Sequence, residues 1–162
     1  MLDTSLKDRY LRFTIERSPE SASATPPEVS DAEFRRRARV MLDALSHLRR
    51  LEGFLGVCVA DETNGVLLVS DQAVDAINLG KIACDTAQLL HASWRTMQET
   101  GLTEVVDEVI FEAPNQFHIV RRHPSIPGIF LLVALEKSDE RLAKARTTIA
   151  QTQSDLLRGY SR

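Results

Sequence analysis

The chain has 162 residues, 43% hydrophobic and 27% charged, the composition of one globular domain with room for an extension. A formal net charge of -3 argues against a nucleic-acid-binding protein, which normally carries a basic excess on one face. No apolar run approaches the ~20 residues that span a bilayer, the first residues lack the apolar stretch of a secretory signal, and Cys58 and Cys84 lie inside apolar patterns, so buried thiols in a cytoplasmic protein are expected.

Residues 1–29 read as an N-terminal extension. The stretch 18–30, SPESASATPPEVS, is rich in Ser, Pro and Ala and has nothing to bury, as in a disordered linker. Before it, LKDRYLRFTIER interleaves Arg9, Arg12 and Arg17 with Leu6, Tyr10, Phe13 and Ile15. This reads as a loosely ordered tail; the alternative is a docking peptide centred on Tyr10, Arg12 and Phe13, since aromatic residues among arginines are common interface anchors.

The domain is expected over 30–158, with 159–162 as a tail. Ser30 and Glu33 form a capping box, and Phe34, Ala38, Met41, Leu45 and Leu48 then make one apolar stripe of a helix that Gly53 is placed to stop. FLGVCVA and VLLVS follow as strands covered on both faces, joined by a hairpin turn at Asn64-Gly65. Residues 72–99 carry the longest helical pattern, with Ala73, Ala76, Gly80, Ala83, Ala87, Leu90, Trp94 and Met97 in one stripe. The Ala and Gly of its first half let another backbone approach closely. Leu79, Ile82 and Leu89 extend the apolar face on one flank and Ile77 and Cys84 on the other, an arc wider than one sheet needs to cover. Gly101 ends this helix.

EVVDEVIFEA (104–113) and QFHIVRR (116–122) flank the turn signal Pro114-Asn115. A two-residue loop there places Glu108 opposite Arg121 and Asp107 opposite Arg122, a charge match that supports the register. Their charge puts these strands near a sheet edge. The wholly apolar IFLLVALE (129–136) reads as a central strand, and Ser138 caps a last helix to about Leu157 with Leu142, Ala145, Ile149 and Leu156 inward.

No constellation of a catalytic site emerges. Gly80-Lys81 is the only Gly-Lys pair, lacks the remaining residues of a phosphate loop, and sits in the middle of the expected helix. His47, His91, His118 and His123 are scattered without helical metal spacing, and the cysteines show no Cys-x-x-Cys. Asp61 and Glu62 read as turn residues, Trp94 as core, and Arg121-Arg122-His123 as cross-strand pairing with a polar loop rather than an anion site. No catalytic residue, metal or cofactor is expected, and the chain reads as a non-enzyme.

The order helix, hairpin, long helix, three strands, helix, with LEGFLGVCVADETNGVLLVS, INLGKIACDTAQLL and IFLLVALEKSDERLAKAR, resembles the Roadblock / dynein light chain family over about four-fifths of the chain. The resemblance implies an α+β, profilin-like sandwich: a five-stranded antiparallel sheet with the long helix on one face and two helices on the other. It also implies a homodimer joined through edge strands and long helices. Leu79, Ile82, Thr86 and Leu89 of the helix and Val109, Ile110 and Phe111 of strand 104–113 are the expected interface residues. Family members serve as platforms for small Ras-like GTPases or as motor adaptors, and bacterial members include dimers that stimulate a polarity-controlling Ras-like GTPase. A GTPase-binding regulator or scaffold is therefore expected. The alternative is a small-molecule sensor, for which His91 or His118 is the candidate polar group.

Overall fold

The computed structural model describes residues 30–75, 77–102 and 106–160. The extension with Tyr10, Arg12 and Phe13 lies outside the described residues, as do Ala76, the start of strand 104–113, and the side chain of Phe34. The elements are α1 (Asp31–Arg49), β1 (Phe54–Asp61), β2 (Leu67–Gln72), α2 (Leu79–Glu99), β3 (Glu108–Glu112), β4 (Gln116–Arg122), β5 (Ile129–Glu136) and α3 (Asp139–Tyr160). All five strands form one antiparallel sheet in the order β2-β1-β5-β4-β3.

Alternation along the strands builds two cores. Val57, Val59, Ile119, Leu131, Val133 and Leu135 meet Leu45 and Leu48 of α1 and Ala145, Ile149 and Leu156 of α3 on one face. Cys58, Ala60, Val120, Phe130, Leu132 and Ala134 meet Ala83, Ala87 and Leu90 of α2 on the other. This is the expected α+β sandwich, with β5 central and wholly buried except for its last residue. Many residues on the α2 side are small, so the helix axis lies close to the sheet.

The local signals mostly hold. Ser30 Oγ accepts from Glu33 N–H at 3.2 Å, as an N-cap does. The Glu33 carboxylate turns instead to Arg37, at 2.6 Å. β3 and β4 pair in the expected register, Glu108 opposite Arg121, and an ion pair joins them at 3.6 Å. Asp107 lies just beyond the ladder, accepting from Arg122 N–H through its backbone oxygen, while the Arg122 side chain pairs with Glu62.

Several expectations are corrected. The long helix starts at Leu79, not 72, because Asn78 caps it: its Oδ1 accepts from Lys81 N–H at 2.9 Å. Residues 71 and 72 belong to β2, and Ala73 lies outside the helix. Gly80-Lys81 therefore occupies the first helical turn rather than the middle, and the Lys81 amide is bonded to the cap side chain instead of to a helical carbonyl. β2 is the other edge of the sheet and mostly half-exposed, not covered on both faces, since only Val69 along it is buried. The last helix continues to Tyr160, three residues past the expected end.

The β1–β2 connection is a longer loop than a two-residue hairpin. Asp61 N–H donates to Val66 O, Asp61 Oδ1 accepts from Thr63 N–H at 2.7 Å, and Asn64 Oδ1 accepts from Val66 N–H at 2.9 Å. Only Gly65 takes a positive φ, +71°. A Cβ there would lie 2.4 Å from Cys84 Cα and 2.5 Å from Ala83 O. The loop backbone thus rests on the backbone of α2, the close approach that the Ala-rich first half of the helix signalled.

Candidate functional site

The described surface is unusual along α2 and the sheet edge at β3. Every buried residue of α2 (Leu79, Ala83, Thr86, Ala87 and Leu90) comes before its last nine positions. Beyond Leu90 the helix continues without a buried residue, and large apolar side chains face solvent: Trp94 is 43% exposed and Leu102, just past the helix, 54%. Leu89 is 44% exposed. It shares a flank with Ile82, seven residues earlier. The Gly65 loop packs at Ala83 and Cys84 on the opposite flank, so Ile82 and Leu89 turn away from the β1–β2 hairpin, toward the β4–β3 side.

β3 contributes the other part of this surface. Val109 and Phe111 are half-buried on the α2 side of the sheet, and Ile110 is half-buried on the α1–α3 side. The seven expected interface residues therefore separate into groups. Ile82, Leu89, Val109 and Phe111 share the α2 side; Ile110 faces away from it; Leu79 and Thr86 are each 3% exposed and have no surface to offer a partner. Those two lie under the helix because capping at Asn78 brings the first turns down onto Gly56 and the central strands. Trp94 is corrected in the opposite sense: expected in the core, it is largely exposed, beside Arg122 at the end of β4. Leu102 was missed. The available signal was the change in the stripe itself, from Ala and Gly that permit close approach to Leu90, Trp94 and Met97 that do not.

A cleft of about 610 Å³, open to solvent, lies at this end of the sheet between α2 and the β1–β2 and β4–β5 loops. Its lining includes Glu62, His91, Trp94, Asp107 and Arg122. Arg122 grips Glu62 through Nη2–Oε1 at 2.5 Å and Nε–Oε2 at 3.1 Å, so the guanidinium is already satisfied. The His91 and Trp94 rings lie 6.3 Å apart, centre to centre. His118 is elsewhere, on β4, 3.0 Å from Gln116 Oε1, and burial lowers its pKa. Of the two histidines named for a sensor, His91 lines an open cleft, and His118 is half-buried on β4 away from it.

His123 organises the β4–β5 loop. Its Nδ1 accepts from Ser125 N–H at 3.1 Å and Ile126 N–H at 2.9 Å, so the proton sits on Nε2, which donates to Gln153 O at 2.8 Å. Burial pushes its pKa down, opposed by the bond to Gln153. Cys58 is fully buried and its thiol is pushed up to about 12 by desolvation, while Cys84 is only half-buried, not the buried thiol expected. Among the described residues, no three His, Cys, Asp or Glu side chains gather as a metal site, and no helix is long and apolar enough to cross a membrane.

No protein-family model matches the chain, and no curated protein sequence matches it. Its fold has clear relatives among solved structures. MglB of Myxococcus xanthus superposes with a TM-score of 0.62 at 18% identity, covering 82% of this chain and 93% of that one. The gliding protein MglB of Thermus thermophilus gives 0.58 at 18% identity, with 81% and 93% covered. A Roadblock/LC7 domain from Streptomyces avermitilis gives 0.57 at 15% identity, with 76% and 95% covered. The sheet order, the helix on one face and the helix pair on the other make this chain a Roadblock/LC7-fold domain.

Proposed function

We propose that the protein is a non-catalytic homodimeric platform that binds a small Ras-like GTPase and regulates or localises it. One observation carries the dimer: Leu89 is exposed on the flank of α2 turned toward the β4–β3 side, and β3 is an edge strand with Val109 and Phe111 on that same side. An unpaired edge beside exposed apolar surface invites a second copy, which pairs the strands and covers the helices. The twofold interface is self-complementary, each β3 against its partner's β3 and each α2 against its partner's α2. The GTPase reading draws on the Roadblock resemblance of the sequence and on the fold shared with the MglB proteins.

A composite surface across the two α2 helices would read the GTPase switch loops, whose order depends on the γ-phosphate. Affinity for the GTP and GDP forms then differs by a coupling free energy of ~1–3 kcal/mol, or roughly 5–150-fold. The test is a titration of a Ras-like GTPase encoded beside this chain or co-purifying with it, loaded with GDP or a non-hydrolysable GTP analogue. A nucleotide-dependent affinity is expected. Binding to neither form removes the GTPase, and equal binding to both leaves a platform without a switch.

A further inference from the structure

β2 is the second edge of the sheet, and the proposed dimer does not use it. Ala73 N–H donates to Leu55 O, so the alternate pairs Asp71–Val57 and Val69–Val59 carry the ladder to β1. Ser70 and Gln72 consequently turn their N–H and C=O groups outward. The register shift opposite Val59 and Ala60 is confined to the loop end, leaving 69–72 as a regular template.

α1 overhangs this edge with an apolar side chain. Arg49 forms an ion pair with Asp71 of β2, which fixes the flank of α1 that faces the edge. Leu42, seven residues earlier, shares that flank and is 43% exposed. The opposite flank, with Val40, Asp43 and His47, instead meets Asp155 and Arg158 of α3. Leu68 of β2 is half-buried against the same core as α1.

The chain contains a segment that fits. Residues 11–16, Leu-Arg-Phe-Thr-Ile-Glu, alternate apolar and polar side chains, the period of a strand with one covered face. Phe, Thr and Ile also favour strands. The linker 18–29 ends at the α1 cap and spans up to ~40 Å, against ~20 Å for the length of β2. We propose that residues 11–16 add to the free edge of β2 as a sixth strand of the same chain, with Leu11, Phe13 and Ile15 covering Leu42 and Leu68. Closing this edge leaves β3 as the open one. Edge pairing then ends in a closed twofold dimer rather than an open β2-to-β3 chain of copies.

Amide hydrogen exchange on the full chain, read residue by residue, tests this. Ser70 and Gln72 should be protected, with alternate amides of 11–16 protected as well. The double variant Phe13→Lys, Ile15→Lys should speed exchange at Ser70 and Gln72 at least tenfold while Val69 and Asp71, bonded to β1, stay unchanged. Leu42→Glu should do the same from the other side of the contact. Equal rates at Ser70 and Gln72 in all three proteins would overturn the proposal. So would protection of consecutive amides across 6–17, the mark of a docked helix. Protection that fades on dilution would assign the edge to a second copy and equally overturn it.

Discussion

The stretch of α2 up to Leu90 and the stretch after it share one apolar repeat but meet different surroundings. The first lies on Cys58, Ala60 and Ala134, where small side chains on both sides bring helix and sheet close, and it holds all five buried residues of the helix. The second carries larger side chains on the same stripe, and Trp94 there lines a solvent-open cleft with Arg122 and Ile129 instead of being buried against the sheet. Periodicity reports which side of a helix is apolar; it says nothing about how far along that side a partner extends. Where close packing on the sheet gives way to the cleft, the same pattern changes from core to exposed surface, and the surplus becomes available to another chain.

The sharpest test compares two truncations a single turn apart. Leu90→Ala removes a buried side chain and should cost about 2–5 kcal/mol of unfolding free energy. Trp94→Ala, in dilute monomer, should cost less than about 1 kcal/mol despite removing more atoms. Denaturant midpoints at constant slope measure both. A large loss at Trp94 would mean that the second stretch is packed after all.

Gly65→Ala tests the close approach that defines the first stretch. The new Cβ would meet the α2 backbone within 2.6 Å, and a backbone cannot swing aside as a side chain can. Positive φ adds strain for any side chain. A loss of about 3 kcal/mol is expected from the two together. Gly101→Ala is the control: it shares the positive φ, +74°, but meets nothing within 4 Å among the described residues, so it should lose only the conformational part, about 1 kcal/mol. Equal losses at the two glycines would show that contact with α2 contributes nothing.

How much of this was legible in the sequence depended on whether a feature is local. The Ser30 cap, the β3–β4 register with Glu108 opposite Arg121, the central place of β5 and the inward residues of α3 were all readable, because neighbouring residues decide them. The start of α2 was not. Val74 and Ile77 continue an apolar pattern that Asn78 interrupts, and a cap outweighs a pattern. The exposure of Trp94 and the burial of Thr86 depend on how the helix seats on the sheet, a tertiary fact with no local signature. Among the expected interface residues, Leu79 and Thr86 are buried in the single chain for that reason. Leu89 and Phe111 remain on the surface that the dimer would use.

Leu89→Glu sharpens the comparison from the side of assembly. Leu89 belongs to the first stretch by position but to the second by exposure, so the monomer should keep its stability within about 0.5 kcal/mol. In the proposed dimer a carboxylate there would lie within the apolar contact, and self-association should weaken at least tenfold by light scattering, about 1.4 kcal/mol. Unchanged association would move the dimer contact off this flank of α2.

The smallest expected effect is one of pH, at the loop that bounds the exposed stretch of α2. His123 is held neutral by two amides donating to Nδ1, and protonation would place a hydrogen where those donors point. Burial lowers its folded pKa below the ordinary 6.5, and His118 is lowered by burial as well. In the window between the lowered folded value and 6.5, the unfolded chain binds more protons than the folded one, so stability rises with pH. The contribution is complete above about pH 6.5 and is lost as pH falls through the folded values. Unfolding free energies measured at steps from about pH 8 to pH 5 should decline over that interval. His123→Asn should have a shallower decline, with the remainder due to His118. A slope identical to that of the unaltered chain would mean that the ring at 123 keeps its charge state on folding, and the Nδ1 acceptor role would have to be abandoned.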